Sequence, residues 1–388
     1  MIARQRRLAA LKETIPEINV GEAFELQSRG AVLIDVREPD EIAAGSPKSA
    51  ERIVRGFLEL QIENKVPDLG HAVLVMCAGG TRSLFAASDL HELGYTDVYS
   101  VAGGFNAWKN QGLPVEAPRV LTPEERERYG RHLTIPEVGE EGQAKLLNST
   151  VLMVGAGGLG SPAAFYLAAA GVGKMILIDD DVVDRSNLQR QILHTDERVG
   201  TPKVDSARAT LTALNPAVEV ETHATRLTSA NVDELFAGVD VVVDGSDNFA
   251  TRYLVNDACV KLGIPNVHGS IFRFDGQVSV FWPGYSERRG PCYRCLFPEP
   301  PPADMAPSCA EAGVLGVLPG IIGTLEAIET VKILLGVGDP LVGRLMVYDA
   351  LRQRFTELKV EHNPECQRCG DGPRTTEYID YVEMCAIA

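Results

Sequence analysis

The run Val151-Leu152-Met153-Val154-Gly155-Ala156-Gly157-Gly158-Leu159-Gly160 leaves this chain few ways to fold. An apolar segment of strand length meets a turn whose glycines, Gly155, Gly157 and Gly160, have the G-x-G-x-x-G spacing, with Gly158 between them. Ser161 to Ala170 then predicts a helix capped by Gly171, and Met175 to Ile178 a second strand ending at Asp179, where an acid can meet a ribose hydroxyl. Such a unit builds a parallel, doubly wound sheet and holds an adenine nucleotide at a helix N-terminus. Alone, it suits NAD as well as ATP.

The residues downstream separate those ligands. Asp181, Asn187, Gln189, Arg190 and Lys203 crowd the segment after the second strand. That is more polar and cationic capacity than a diphosphate bridge needs, whereas a triphosphate cut between its α and β groups needs charge on the departing pyrophosphate neutralised. A further strand, Val239 to Val243, ends at Asp244 and leads into Gly245-Ser246-Asp247-Asn248, which offers Asp247 as a magnesium carboxylate with Asn248 beside it. Each cation read singly is an ordinary solvated surface charge. The joint placement argues for ATP.

Cys292-x-x-Cys295 and Cys366-x-x-Cys369 are two turns that each present two thiols. Four thiolates close a tetrahedral Zn2+ site with no open position, which makes the site a structural clasp for the C-terminal part of the chain. Four free thiols or a redox pair are the alternatives. Cys309, in Pro307-Ser308-Cys309-Ala310-Glu311, stands apart from the pairs, and by itself reads as a small buried hydrophobe, as does Cys259 on an expected helix Tyr253 to Leu262.

The first 118 residues alternate short strands with helices, as an α/β domain does. Ala31 to Val36 and Ala72 to Met76 are apolar strands, and Cys77 stands at the C-terminal end of the second, where parallel sheets place ligands. Ala78, Gly79 and Gly80 let successive backbone N–H groups turn toward one point, and Arg82 adds positive charge, so a thiolate or persulfide on Cys77 is stabilised as an anion. A buried structural thiol is the competing reading. Glu116-Ala117-Pro118-Arg119-Val120 reads as a linker, and Thr122-Pro123-Glu124-Glu125 as a capped helix start, so the chain divides into residues 1–118 and 119–388.

The chain has 388 residues, 37 Lys plus Arg, 53 Asp plus Glu and a net charge of −16, the reverse of a nucleic-acid-binding footprint. Its N-terminus lacks an apolar secretory core, and the apolar stretch Gly313 to Gly336 is broken by Pro319, Glu326, Glu329 and Lys332, the pattern of a buried helix rather than a membrane span. Eight cysteines, four in tight pairs, fit a reducing compartment, and the cytoplasm is the expected location.

Residues ~120 to 375 resemble the MoeB/ThiF family, bacterial relatives of ubiquitin-activating enzymes, through Arg131, the glycine turn, Asp179, Asn187 to Gln191, Lys203, Ser246-Asp247-Asn248, both cysteine pairs and Cys309 to Gly313. Residues ~15 to 116 resemble a rhodanese domain through Asp35-Val36-Arg37, Cys77 to Ser83 and Val101 to Trp108. The resemblance implies a homodimer that adenylylates the C-terminal Gly-Gly of a ubiquitin-like sulfur carrier, similar to MoaD or ThiS, with ATP and Mg2+. It implies that Asp247 holds Mg2+, Arg190 and Lys203 the phosphates and Asp179 the ribose. Arg131 would reach into the partner subunit, and Cys309 would act as a second thiol. Sulfur would come from a Cys77 persulfide charged by a cysteine desulfurase or by thiosulfate. Better-known fused members carry the rhodanese domain last, and here it comes first. An NAD-dependent oxidoreductase and a non-catalytic zinc-stapled scaffold are the readings from other classes.

Overall fold

A computed structural model describes residues 3–117, 119–301 and 313–379, and the chain divides into two compact units, Met1–Leu121 and Thr122–Ala388. Pro118 of the expected linker, Cys309 and most of the proline-rich loop before it lie outside the described residues.

The first unit is built on a parallel sheet of β1 (Glu17–Ile18), β2 (Val32–Asp35), β4 (Glu51–Arg52), β5 (Val73–Met76) and β6 (Val98–Val101), in the order β1-β6-β5-β2-β4. The short β3 (Ser46–Pro47) and β7 (Val115–Glu116) form a separate antiparallel pair. All four residues of β5 are buried, because helices cover both faces of its sheet. Val73, Val75 and Cys77 share one face with Leu84, Ala87 and Leu90 of the helix Thr81–Glu92, while Leu74 and Met76 join Phe105 and Trp108 on the other. This alternation aims the Cys77 side chain at the helix that follows it.

The second unit holds an eight-stranded sheet, β8 (Thr150–Val154), β9 (Lys174–Ile178), β10 (Glu219–His223), β11 (Val241–Asp244), β12 (Asn266–Phe272), β13 (Asp275–Phe281), β14 (Arg344–Asp349) and β15 (Arg354–Lys359). Its order is β10-β9-β8-β11-β12-β13-β14-β15. The first five positions are parallel and the last three antiparallel. The helix after the glycine turn spans Gly160–Ala170 and ends at Gly171 in the left-handed conformation, φ 87°, a cap that glycine adopts without strain. The helix Phe249–Leu262 begins earlier than its apolar pattern suggests, because Asn248 caps it by accepting from Thr251 N at 2.9 Å. Thr122 and Glu125 form the expected capping box. The stretch Gly313 to Gly336 carries the helix Leu318–Leu335, packed beside the Gly160–Ala170 helix and over β12 and β13. Among the described residues, no helix is long and apolar enough to cross a membrane.

Candidate active sites

At the C-terminal ends of β8, β9 and β11 the second unit encloses a cavity of about 390 Å³. Gly155, Gly157 and Gly158 of the turn, Asp179, Asp181, Arg190, Lys203, Asp247 and Asn248 all line it. Gly160 does not, and its work is steric: a Cβ there would stand 2.0 Å from the Gly155 carbonyl oxygen, so only glycine lets the helix close onto the turn. Gly155 itself has φ +92°.

The acids and cations interlock. Asp179 accepts from Ala156 N at 2.8 Å and from Asp181 N at 2.9 Å, which ties the end of β9 to the glycine turn. Burial pushes the Asp179 carboxyl up, and the nearby Lys203 charge pulls it back. Lys203, first residue of the helix Lys203–Leu214, is only 5 % exposed and donates to Asp181 at 2.7 Å. Arg190 donates to the Asn187 side chain at 2.9 Å. Asn187 is absent from the cavity lining, so its amide orients a cation rather than facing the cavity. Arg131 is exposed on the short helix Gly130–Leu133, also away from the lining.

Beneath Asp247 lies a buried polar cluster that sequence reasoning missed. The fully buried Asp244 accepts from Ser246 Oγ at 2.6 Å and pairs with His268 Nδ1 at 3.0 Å, which pins the loop presenting Asp247. Burial pushes the Asp244 carboxyl up, yet the His268 and Ser246 hydrogen bonds prevail and hold it below the ordinary value. Arg252 was also missed. It lines the cavity and donates to the Ser246 carbonyl at 3.1 and 3.3 Å, and its place one helical turn after the Asn248 cap was a usable signal. A smaller cavity of about 170 Å³ adjoins the first, sharing Asp247, Arg252 and Ile271 and reaching Phe272, Asp275 and Gln277.

In the first unit, Gly80 has φ 90° and its N–H donates to Cys77 Sγ at 3.2 Å. The Cys77 thiol also meets Ser83 Oγ at 3.6 Å, and Ser83 in turn accepts from Ser100 Oγ at 2.9 Å. Cys77 is 1 % exposed. The loop is buttressed from behind: Phe105 N donates to the Cys77 carbonyl at 2.8 Å and Asn106 N to that of Ala78 at 3.0 Å. The Arg82 guanidinium is gripped by both oxygens of Glu41, at 2.6 and 2.7 Å.

The cysteine pairs converge. The Sγ atoms of Cys292, Cys295, Cys366 and Cys369 all lie within 4.8 Å of one another, with neighbours at 3.4, 3.6 and 3.9 Å. Tetrahedral Zn–S bonds of about 2.3 Å place sulfurs about 3.8 Å apart, so the donor set and its spacing fit zinc. Cys259 is buried among apolar side chains and burial pushes its thiol well up, which keeps it an inert hydrophobe.

Residues 129–368 match the ThiF family, and residues 20–111 match the rhodanese-like domain. A SAMP-activating enzyme E1 of Haloferax volcanii is 54% identical over 263 residues, covering 68% of this chain and 96% of that protein. A sulfur carrier protein adenylyltransferase of Thermus thermophilus is 54% identical over 267 residues, with 69% and 98% covered. An adenylyltransferase and sulfurtransferase MOCS3 of Culex quinquefasciatus is 48% identical over 268 residues, with 69% and 60% covered. Among solved structures, E. coli MccB with ATP shares the fold at a TM-score of 0.56 and 22% identity, covering 69% of this chain and 80% of that one. The chain belongs to the ThiF family, as an enzyme of the adenylyltransferase and sulfurtransferase kind in which a rhodanese-like domain precedes the adenylating unit.

Proposed function

We propose that this protein uses ATP to adenylylate the C-terminal glycine of a ubiquitin-like sulfur-carrier protein and then supplies sulfur from a Cys77 persulfide to make the thiocarboxylate. The observation that carries the reading is the buried Lys203 in one cavity with Arg190 and Asp247, around a glycine turn. An NAD site has no use for that cluster, whereas pyrophosphate leaving the α-phosphate does.

The roles follow from position. The glycine turn and helix N-terminus receive the phosphates, Asp179 faces the ribose, and Arg190 and Lys203 neutralise the departing pyrophosphate. Asp247 would hold Mg2+, which supplies charge neutralisation at the phosphates. The adjoining cavity, about 170 Å³ and lined by Arg252, Ile271, Phe272 and Gln277, would receive the carrier's diglycine tail, with Arg252 as the cation for its carboxylate. The carboxylate attacks the α-phosphate, pyrophosphate leaves, and the acyl-adenylate is then open to a persulfide sulfur. Zinc on the four cysteines is structural. Cys309 stands as a second thiol that could hold the carrier or resolve an acyl disulfide. In a homodimer, which the family resemblance implies, the exposed Arg131 would serve the partner's site.

A MoaD-like carrier of molybdopterin synthesis is the first choice and a ThiS-like carrier of thiamine synthesis the second. The test is exchange of labelled pyrophosphate into ATP, which should require carrier, ATP and Mg2+ together and vanish in Asp247→Ala. Exchange that ignores deletion of the carrier's last glycine would overturn the reading.

A further inference from the structure

Arg82 is close enough to Cys77 for their charges to interact, yet its guanidinium is held by Glu41 through two short hydrogen bonds. Glu41 is fixed in turn: its Oε2 accepts from Glu38 N at 3.1 Å in a capping box, on a helix, Pro39–Ala43, whose first turn carries Asp40 and Glu41. The neighbouring Arg37 is no freer. It is buried, paired with Asp35 at 2.6 Å, bonded to the carbonyls of Gly45 and Glu41, and stacked 3.8 Å from the centre of the Phe105 ring. Two arginines near the sulfur-handling loop are therefore each paired with a carboxylate, and Glu38 adds negative charge beside Arg82. The Arg82 contact holds the Glu41 carboxyl down to about 2, so the pair stays charged at any physiological pH.

We infer that Glu41 is a specificity-determining residue of the rhodanese-like unit, one that withholds Arg82 from dianionic donors and so selects persulfides over thiosulfate. The inference rests on the proposed role of Cys77. An alkyl persulfide carries at most one negative charge, whereas thiosulfate carries two and binds best to a free guanidinium. In the favoured transfer, the Cys77 thiolate attacks the outer sulfur of R–S–SH. A new S–S bond forms at Cys77, the donor's S–S bond breaks, the proton stays on the transferred sulfur, and R–S⁻ leaves with the electron pair, so no external oxidant or reductant is needed.

The test compares kcat/KM for thiosulfate with that for cysteine persulfide, whose ammonium offsets its carboxylate, each read as sulfur passed from Cys77 to cyanide, in the full chain and in Glu41→Gln. Glutamine keeps the contact with Glu38 N and removes the charge. The thiosulfate-to-persulfide ratio should rise about tenfold in the variant. In the unaltered chain, added salt should raise kcat/KM for thiosulfate by screening the repulsion, a reading that needs no variant. A ratio that stays level or falls, or a thiosulfate rate that drops with salt, would overturn the inference while leaving the role of Cys77 intact. Failure of both donors to place a cyanide-labile sulfur on Cys77 would instead remove the role and the inference together.

Discussion

Arg294 and Arg368 occupy the same position in their two cysteine pairs, and both donate to one carboxylate, that of Asp257. Arg294 reaches it in a fork, Nε to Oδ1 and Nη2 to Oδ2 at 2.8 Å, and Arg368 Nη2 reaches Oδ2 at 2.5 Å. Asp257 is 1 % exposed, on the Phe249–Leu262 helix whose first turns line the nucleotide cavity. The two cysteine turns are thus joined twice, once through sulfur and once through this anion.

Removing that anion strands two largely buried guanidinium groups. Asp257→Ala should destabilise the second unit by about 3–5 kcal/mol, because an unpaired buried charge loses the partner that offset its desolvation. Thermal unfolding and the rate at which a chelator extracts the metal proposed for the four cysteines would both report it. An unchanged melting temperature with unchanged metal release would mean that the sulfurs alone hold the clasp.

Lys203 offers a sharper separation of function from stability. Its ammonium is buried, but its partner Asp181 is 67% exposed and can rehydrate. Lys203→Met keeps the aliphatic stem, so folding should change little while carrier-dependent pyrophosphate exchange falls by about a hundredfold or more. Exchange within a fewfold of the unaltered chain would show that Arg190 and Mg2+ suffice for the leaving group.

Glu326 should make stability depend on pH. The side chain is fully buried on the Leu318–Leu335 helix, and its carboxyl lies against the Gly269 backbone. Burial first, and then Asp244, pushes its pKa well above 4.5, so as pH rises the unfolded chain ionises this carboxyl before the folded chain does. The folded state therefore binds more protons, and this group's contribution falls as pH rises above 4.5. Glu326→Gln abolishes the titration. It should raise the melting temperature at pH 7, and the gain should shrink as pH falls toward 4.5 and below. A gain that is constant or grows toward acid would refute the raised pKa.

What the sequence made legible was local. The glycine turn, the Thr122 to Glu125 capping box and the Gly171 cap depend on residues within a few positions of each other, and each stands as the pattern suggests. The cysteine pairs were legible because thiol spacing is chemically restrictive. Contacts made across long separations were not. Nothing near Arg82 in sequence announces Glu41, and nothing in either cysteine pair points to Asp257. The far edge of the large sheet was hidden too: β15 is exposed at all six residues, so no buried face marks it as a strand.

Gly104 tests another contact made across a long separation. It has φ +56°, and a Cβ added there would stand 2.1 Å from the Cys77 carbonyl oxygen and 2.8 Å from the Ala78 carbonyl carbon, both backbone atoms that no rotamer change can move. Gly104→Ala must therefore push the loop off the ladder formed by Phe105 N and Asn106 N, and strain the left-handed backbone at the same residue. Sulfur transfer from Cys77 should fall by about a hundredfold, because displacing a reacting group by about 1 Å carries that order of loss. Carrier adenylylation, which uses the other unit, should persist. Retained sulfur transfer would mean that the Cys77 loop tolerates displacement, and loss of both activities would mean that the substitution unfolds more than the loop it touches.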